Sequence, residues 1–165
     1  EINEKAGITY ELLIKSSLRH HPDMMLIGEI RDEMTAKMVI RGALTGHLML
    51  ATVHAKDCKG VISRLEELGV TKDLLRQTLV AVVAQRLVPR YCSLCQSHCC
   101  FHCNHISLSK KKATLFDIAY GTALQHLIQE EGFLNPLEHP FNRKLRKAYA
   151  LGYISKQSLE AYQIY

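Results

Sequence analysis

Two short apolar segments of this sequence each end in polar residues of the kinds that act on nucleotides. Residues 24–27 are followed by Gly28 and Glu29, and residues 48–53 are followed by His54. In open parallel sheets ligands bind beyond the carboxyl ends of the strands, so we expect these polar groups to meet at one edge. The pattern predicts a nucleotide-handling site there.

Glu29 has the chemistry to approach a water molecule or Mg²⁺, because the glycine before it leaves the carboxylate uncrowded at the mouth of a buried strand. In phosphoryl transfer the protein mostly orients water and neutralises charge, so an acid with imidazole and guanidinium groups nearby is the expected set. We expect His54 to sense the γ-phosphate. The alternatives are a solvated acid at a strand end and, for His47, a hydrogen-bonded structural histidine.

The phosphate-binding loop that usually accompanies such an acid does not occur in these 165 residues. Because the sequence has no Gly-x-x-x-x-Gly-Lys-Ser/Thr motif, no segment of it is predicted to hold the β-phosphate with backbone amides and a lysine. Only part of a nucleotide site is therefore predicted.

Three runs of the sequence resemble motifs of the ATPases of type II secretion, type IV pilus assembly and competence DNA uptake. Residues 18–32, preceded by residues 7–9, resemble their Walker B region. Residues 45–57 resemble their histidine box, and residues 84–88 resemble the Gln-Arg-Leu element that follows it. The likeness covers roughly residues 1 to 95 in unbroken order, and it extends to the short competence-type members of the family.

The resemblance implies a role for each matching residue. Glu29 would be the Walker B glutamate that polarises the attacking water and holds the magnesium shell, and His54 would act beside it as a second catalytic residue. His47 and His54 would form the histidine-box pair. The residues that the resemblance assigns to nucleotide binding or to coupling with neighbouring elements are Gly28, Arg31, Asp32, Gly46, His47 and Arg86.

The family places its phosphate loop and an acidic box upstream of the point where this sequence begins, and Glu1 is not an initiator methionine. We therefore expect the chain to be the C-terminal part of an ATPase that uses ATP and Mg²⁺, with half an active site and no activity alone.

Composition agrees with one compact domain. The chain has 165 residues, of which 47% are apolar, so it can build its own core. No apolar run approaches the roughly 20 residues that cross a bilayer, and no signal peptide is visible. The formal charge of +5 is spread along the chain and only weakly favours an acidic partner or a membrane surface.

Apolar periodicity predicts strands that alternate with helices, which is typical of parallel α/β pairing. With the resemblance, the fold class is α/β: a partial RecA-like parallel sheet with flanking helices and a small C-terminal helical appendix. The predicted helices and their end signals are Thr9 to Pro22, residues 33–44 closed by Gly46, residues 58–68 between Asp57 and Gly69, and Thr71 to Pro89.

Three parts are predicted along the chain: an ATPase core over residues 1–90, a Cys/His-rich loop over residues 91–108 and the helical appendix over residues 109–165. Lys110 to Lys112 are predicted to form a solvated loop, with phosphate or lipid contact as the alternative. The elements predicted in the appendix are a strand at 114–118 and helices near 124–131, 143–151 and 158–162.

Five of the six cysteines fall between residues 92 and 103. Two Cys-x-x-Cys pairs could surround Zn²⁺, and in a reducing cytoplasm such clustering indicates a metal before a disulfide. The short gap between the pairs leaves open the alternative of a shortened loop with free thiols. Cys58, on a predicted helix, is expected to be a small buried residue. The candidate zinc ligands are Cys92, Cys95, Cys100 and Cys103.

The resemblance implies a homo-hexameric ATPase in the cytoplasm, peripheral at the inner face of the cell membrane. Such an enzyme drives an inner-membrane platform protein that assembles a pilus or pseudopilus, and direct contact with nucleic acid is not expected. One alternative is a catalytically silent fragment that only docks to the machine. Another is a small zinc-dependent nucleic-acid-binding module, based on the cysteine cluster and the basic charge.

Overall fold

The computed structural model describes residues 10–92, 112–130 and 139–164, which contain seven helices and four strands. The elements are α1 (Tyr10–Leu18), β1 (Met24–Ile27), α2 (Glu33–Leu44), β2 (Leu48–Ala51), α3 (Cys58–Glu67), α4 (Lys72–Thr78), β3 (Ala81–Pro89), β4 (Lys112–Tyr120), α5 (Gly121–Gln129), α6 (Pro140–Ala150) and α7 (Lys156–Tyr162).

β1 and β2 are parallel, with Met24 opposite Leu48 and Ile27 opposite Ala51. The helix α2 connects them, as a crossover between parallel strands requires, and packs against β2, α1 and α4. Gly42 lets α2 approach β2 closely, because a Cβ at this position would meet the Met49 sulfur at 2.9 Å. This β-α-β unit confirms the predicted α/β class and brings both strand ends to one edge.

Helix ends follow the local signals in the sequence. The Asp32 carboxylate accepts a hydrogen bond from the Thr35 amide at 2.8 Å and caps α2, and Asp57 caps α3 by accepting from the Gly60 amide at 2.7 Å. Gly69 follows α3 with φ +81°, where a side chain would be strained. The predicted helices over residues 33–44 and 58–68 are confirmed.

The predicted long helix from Thr71 to Pro89 is wrong in its second half. Thr71 does cap a helix, but α4 ends at Thr78, and β3 runs over Ala81–Pro89. Valines are frequent in this segment, and their branched Cβ favours the extended chain over the helix. The buried positions Val82 and Val88 are six residues apart, which places them on the same face of a strand.

The remaining predicted elements are present with shifted bounds. The predicted strand at residues 114–118 lies within β4, and the three predicted helices of the appendix correspond to α5, α6 and α7. β4 is hydrogen-bonded to β3 in a second two-stranded sheet. Lys112 begins β4, whereas Lys110 and Lys111 lie outside the described residues. Within the three described ranges, no helix is both long enough and apolar enough to span a membrane.

The chain divides into two compact units that do not follow its order. The described residues of the first unit are 10–82 and 119–130, and its core includes the fully buried Ile62, Leu75 and Ile128. The described residues of the second unit are 83–92, 112–118 and 139–164. The three-part division at residues 90 and 108 stays a prediction. The core of the second unit consists of Val88, Leu145, Ala148 and Ile154, with Leu115, Leu159 and Tyr162 packed against it.

Candidate functional site

Glu29 lies just beyond the carboxyl end of β1, and its two carboxylate oxygens contact different side chains. Oε1 is 2.6 Å from His54 Nε2, and Oε2 accepts a hydrogen bond from Arg31 Nε. The Glu29 side chain is only 16% exposed, whereas that of His54 is 92% exposed. An acid is thus held at the base of the site, and an imidazole reaches from it into solvent.

Two hydrogen bonds between the segments that follow the strands hold this arrangement. The Ile30 amide donates to the Thr52 carbonyl at 3.0 Å, and the Thr52 hydroxyl donates to the Gly28 carbonyl. These bonds extend the pairing of β1 with β2 beyond Ile27 and Ala51. Glu29 and His54 therefore meet because the register of the parallel strands continues into the loops.

A cleft of about 240 Å³ opens at this edge, lined by Glu29, Ile30, Arg31, His54 and Arg64. Two guanidinium groups and one imidazole lie around the single carboxylate among these lining residues. Guanidinium and imidazole N–H groups in a concave site can donate to the oxygens of an anion such as phosphate. The cleft can thus hold an anion beside an acid that orients water.

Arg64 is the lining residue that the sequence interpretation did not predict. It lies on α3, and its Nη1 donates to Glu67 Oε2 at 2.9 Å. One arginine on an amphipathic helix usually indicates a solvated face. The available signal was that Asp57, the cap residue of α3, comes three residues after His54, so that the helix must begin close to the histidine.

The resemblance assigns Asp32 and Arg86, like Arg31, to nucleotide binding or to coupling with neighbouring elements. Hydrogen bonds from the Thr35 amide and hydroxyl to the Asp32 carboxylate, which favour its charged form, hold the pKa of Asp32 below its usual 3.8. Arg86 lies on β3 in the second unit, with its guanidinium 5.6 Å from the centre of the Phe141 ring. The coupling role of these residues stays a prediction.

Gly46 and His47 lie at the amino end of β2, at the opposite edge from His54. Gly46 has φ +90°, and His47 Nδ1 is 3.1 Å from the Thr45 hydroxyl. His54 comes seven positions after His47, which along an extended chain corresponds to about 23 Å at roughly 3.3 Å per residue. The first unit therefore does not bring the histidine-box pair into one cleft.

The predicted zinc ligands can be placed only in part. Cys92 is half-buried, and Cys95, Cys100 and Cys103 lie outside the described residues. Among the residues that the structure does describe, no three His, Cys, Asp or Glu side chains form a cluster able to hold a metal. Cys58 begins α3 and is buried, as expected. Zinc binding stays a prediction.

The sequence matches the family described as Type II/IV secretion system protein over residues 1–158. The chain belongs to this family. Competence protein ComGA of Halalkalibacterium halodurans is 45% identical over 159 residues, covering 95% of this chain and 44% of that protein. ComGA of Bacillus subtilis is 40% identical over 162 residues, covering 97% of this chain and 46% of that protein. The chain thus spans less than half the length of these relatives.

A solved structure of the pilus retraction motor PilT with bound ADP shares the fold of this Type II/IV secretion chain, with a TM-score of 0.67. The match covers 94% of this chain and 43% of that chain at 22% identity, so it concerns the fold alone. The RecA-like α/β class and the resemblance to secretion ATPases that the sequence predicted are both confirmed.

Proposed function

We propose that this chain supplies the water-activating half of an ATPase in a competence-type or related secretion machine. The observation that carries the proposal is the half-enclosed Glu29 carboxylate, which His54 contacts at 2.6 Å and Arg31 also binds. Its place beyond the carboxyl ends of parallel strands is where nucleotide sites form in such sheets. Relatives named as competence proteins, at 45% and 40% identity, support the assignment to competence.

In this proposal Glu29 orients the attacking water. A carboxylate offers about four lone-pair positions, so Glu29 can accept from His54 and Arg31 and still accept from a water molecule. In its protonated form the exposed His54 ring can keep Nε2–H on Glu29 and donate from Nδ1 toward a terminal phosphate, and Arg31 and Arg64 offset charge on the phosphate oxygens. Preorganised donors in a cleft act without reorganising during the reaction.

Glu29 also fits Mg²⁺, because this ion commonly binds proteins through one or two carboxylates while keeping several waters and substrate phosphate oxygens. Glu29 would hold the water shell of the ion, and the ion when bound would neutralise phosphate charge. Glu29 is the only carboxylate among the described residues that line the cleft. We therefore propose ATP and Mg²⁺ as the ligands of the complete site.

The complete enzyme is proposed to work as a cytoplasmic homo-hexamer, peripheral at the membrane, that drives an inner-membrane platform protein. The lack of a Gly-x-x-x-x-Gly-Lys-Ser/Thr motif in these 165 residues favours a second candidate, a catalytically silent docking module. The two candidates differ in whether the Glu29 cleft takes part in turnover.

Phosphate release from ATP would be measured for the 165-residue chain and for a longer protein that joins the same residues to a phosphate-binding loop. We expect no turnover by the chain alone and magnesium-dependent turnover by the longer protein. Turnover by the chain alone that Glu29→Gln abolishes would refute our view that the loop is required. A longer protein that binds ATP without hydrolysing it would favour the docking module.

A further inference from the structure

A second and larger cleft lies at the amino edge of the β1–β2 sheet, away from Glu29. Its volume is about 630 Å³, and its lining includes the ends of α1 and α2 and residues of the loops that follow them. Both helices precede a strand, so both helix ends and both strand starts must gather at this edge. The cationic and titratable lining residues are Lys15, Arg19, His21, Arg41 and His47.

The charged side chains that line this cleft have one sign. Lys15, Arg19 and Arg41 are basic, and none of the described lining residues is a carboxylate. The ion pairs within the described ranges leave these three cations without an acidic partner, whereas Arg31 and Arg64 at the other edge each have one. Like charges in one concavity repel each other, and a bound anion would relieve that repulsion.

The structural explanation for basic residues here is the helix dipole. Lys15 and Arg41 lie in the last turns of α1 and α2, where a cation interacts favourably with the helix dipole. This effect does not account for His21, which follows the helix with φ +49°, a conformation that is rare outside glycine. The helix dipole also gives no reason why the ends of α1 and α2 should line the same cavity.

His47 adds a directional group to the cleft. The Thr45 hydroxyl lies 2.9 Å from the Gly42 carbonyl and donates to it, so its oxygen is available to accept from His47 Nδ1 at 3.1 Å. With Nδ1 engaged by Thr45, Nε2 is the ring nitrogen left for a ligand. The ring is thereby held at the cleft.

We propose that this amino-edge cleft binds a small, phosphate-rich anion. Its volume lies within the roughly 300–1,000 Å³ of small-molecule sites. Leu18 and Met38 line it as well and offer an apolar surface for the uncharged part of a ligand. The described lining residues include no Phe, Tyr or Trp on which bases of a single strand could stack, which disfavours a nucleic acid.

Inorganic tripolyphosphate is the probe, and binding to the full chain would be followed at low salt by calorimetry and by amide NMR shifts. We expect the largest shifts at residues 15–21 and 41–47. The variant Arg19→Gln with Arg41→Gln should weaken affinity at least about tenfold, because each substitution removes a charge-assisted contact. Arg19→Lys with Arg41→Lys keeps the charge and should lose clearly less affinity than the glutamine pair, since lysine still binds phosphate as a point charge.

The matched control is Arg143→Gln with Lys147→Gln, which removes the same charge from exposed positions on α6 in the second unit. It should leave affinity unchanged, and dispersed amide signals would show that each variant is folded. Three results would overturn the proposal: no binding, shifts only at residues 29–31 and 52–54, or equal weakening in the control. Tighter binding of an oligonucleotide through the same arginines, or self-association that they mediate, would also overturn it.

Discussion

The two edges of the β1–β2 sheet both gather cations, but only one of them holds an acid among them. At the carboxyl edge, His54 and Arg31 are bound to Glu29, and Arg64 lines the same cleft. At the amino edge, Arg19 and Arg41 line a larger cleft with no described carboxylate. A carboxylate fixes cationic groups and can orient water, which suits chemistry, whereas cations alone suit binding. The same crossover unit thus presents one site fit for reaction and one fit for anchoring.

The largest expected effect is that of Glu29→Gln on turnover in a protein that joins this chain to a phosphate-binding loop. The amide keeps the shape of the side chain but cannot take a proton, so the rate should fall by about 10²- to 10⁴-fold. Nucleotide affinity should change little. Phosphate release and nucleotide binding are the two measurements.

The control for Glu29→Gln is Glu33→Gln, which removes an acid of the same size that pairs with Lys37 on the surface of α2. Its turnover should match the wild type. Equal loss in the two variants would mean that net charge, and not the position of Glu29, determines the rate, and the contrast between the edges would lose its basis.

The histidines at the two ends of β2 allow a direct comparison of the edges. His54→Ala should slow turnover by about tenfold or more, less than Glu29→Gln, because one donor near the phosphate is lost while the acid remains. His47→Ala should slow it less than His54→Ala does, since His47 lies at the edge away from Glu29. Steady-state rates at saturating ATP are the readout. A larger loss for His47→Ala than for His54→Ala would mean that the reaction takes place at the amino edge of the sheet and not beside Glu29.

The sequence predicted the strands and helices of the carboxyl edge because their signals are local. Short apolar strands, the cap residues Asp32 and Asp57 and the turn glycine Gly69 act over a few residues, and the family motifs fall on the same segments. The strand β3 was missed, because its leucine and valine positions also fit a helical period. Arg64 and the amino-edge cleft were missed as well, since they depend on how separate helices pack, which no local pattern encodes.

Substitutions of Asp32 are expected to have the smallest effects. They test whether this residue contributes to stability or to catalysis at the carboxyl edge. Asp32→Ala should lower the free energy of unfolding by about 0.5–2 kcal/mol, because it removes the cap of α2. Asp32→Asn keeps a capping side chain and should cost less at pH 7. Urea unfolding of the chain, followed by circular dichroism, is the measurement.

The pH dependence of these Asp32 variants follows from the sign of the shift. The folded-state pKa of Asp32 is below its usual 3.8, so its charge stabilises the fold above pH 3.8 and this contribution is lost as pH falls through the folded-state pKa. The advantage of the wild type over Asp32→Asn should therefore shrink in acid. If Asp32→Asn instead leaves the free energy of unfolding unchanged but abolishes turnover, the negative charge of Asp32 is needed for the reaction and not for capping α2.

The exposed face of the β1–β2 sheet affects how readily the isolated protein aggregates. Met24 and Leu26 are 55% and 75% exposed, and their register partners Leu48 and Leu50 are 52% and 44% exposed. These four apolar side chains form an exposed apolar patch of the kind that chaperones bind and that nucleates aggregation. The chain produced alone should therefore bind hydrophobic dyes and hydrophobic resins, and it should aggregate unless it is kept dilute or a matching apolar surface covers the patch.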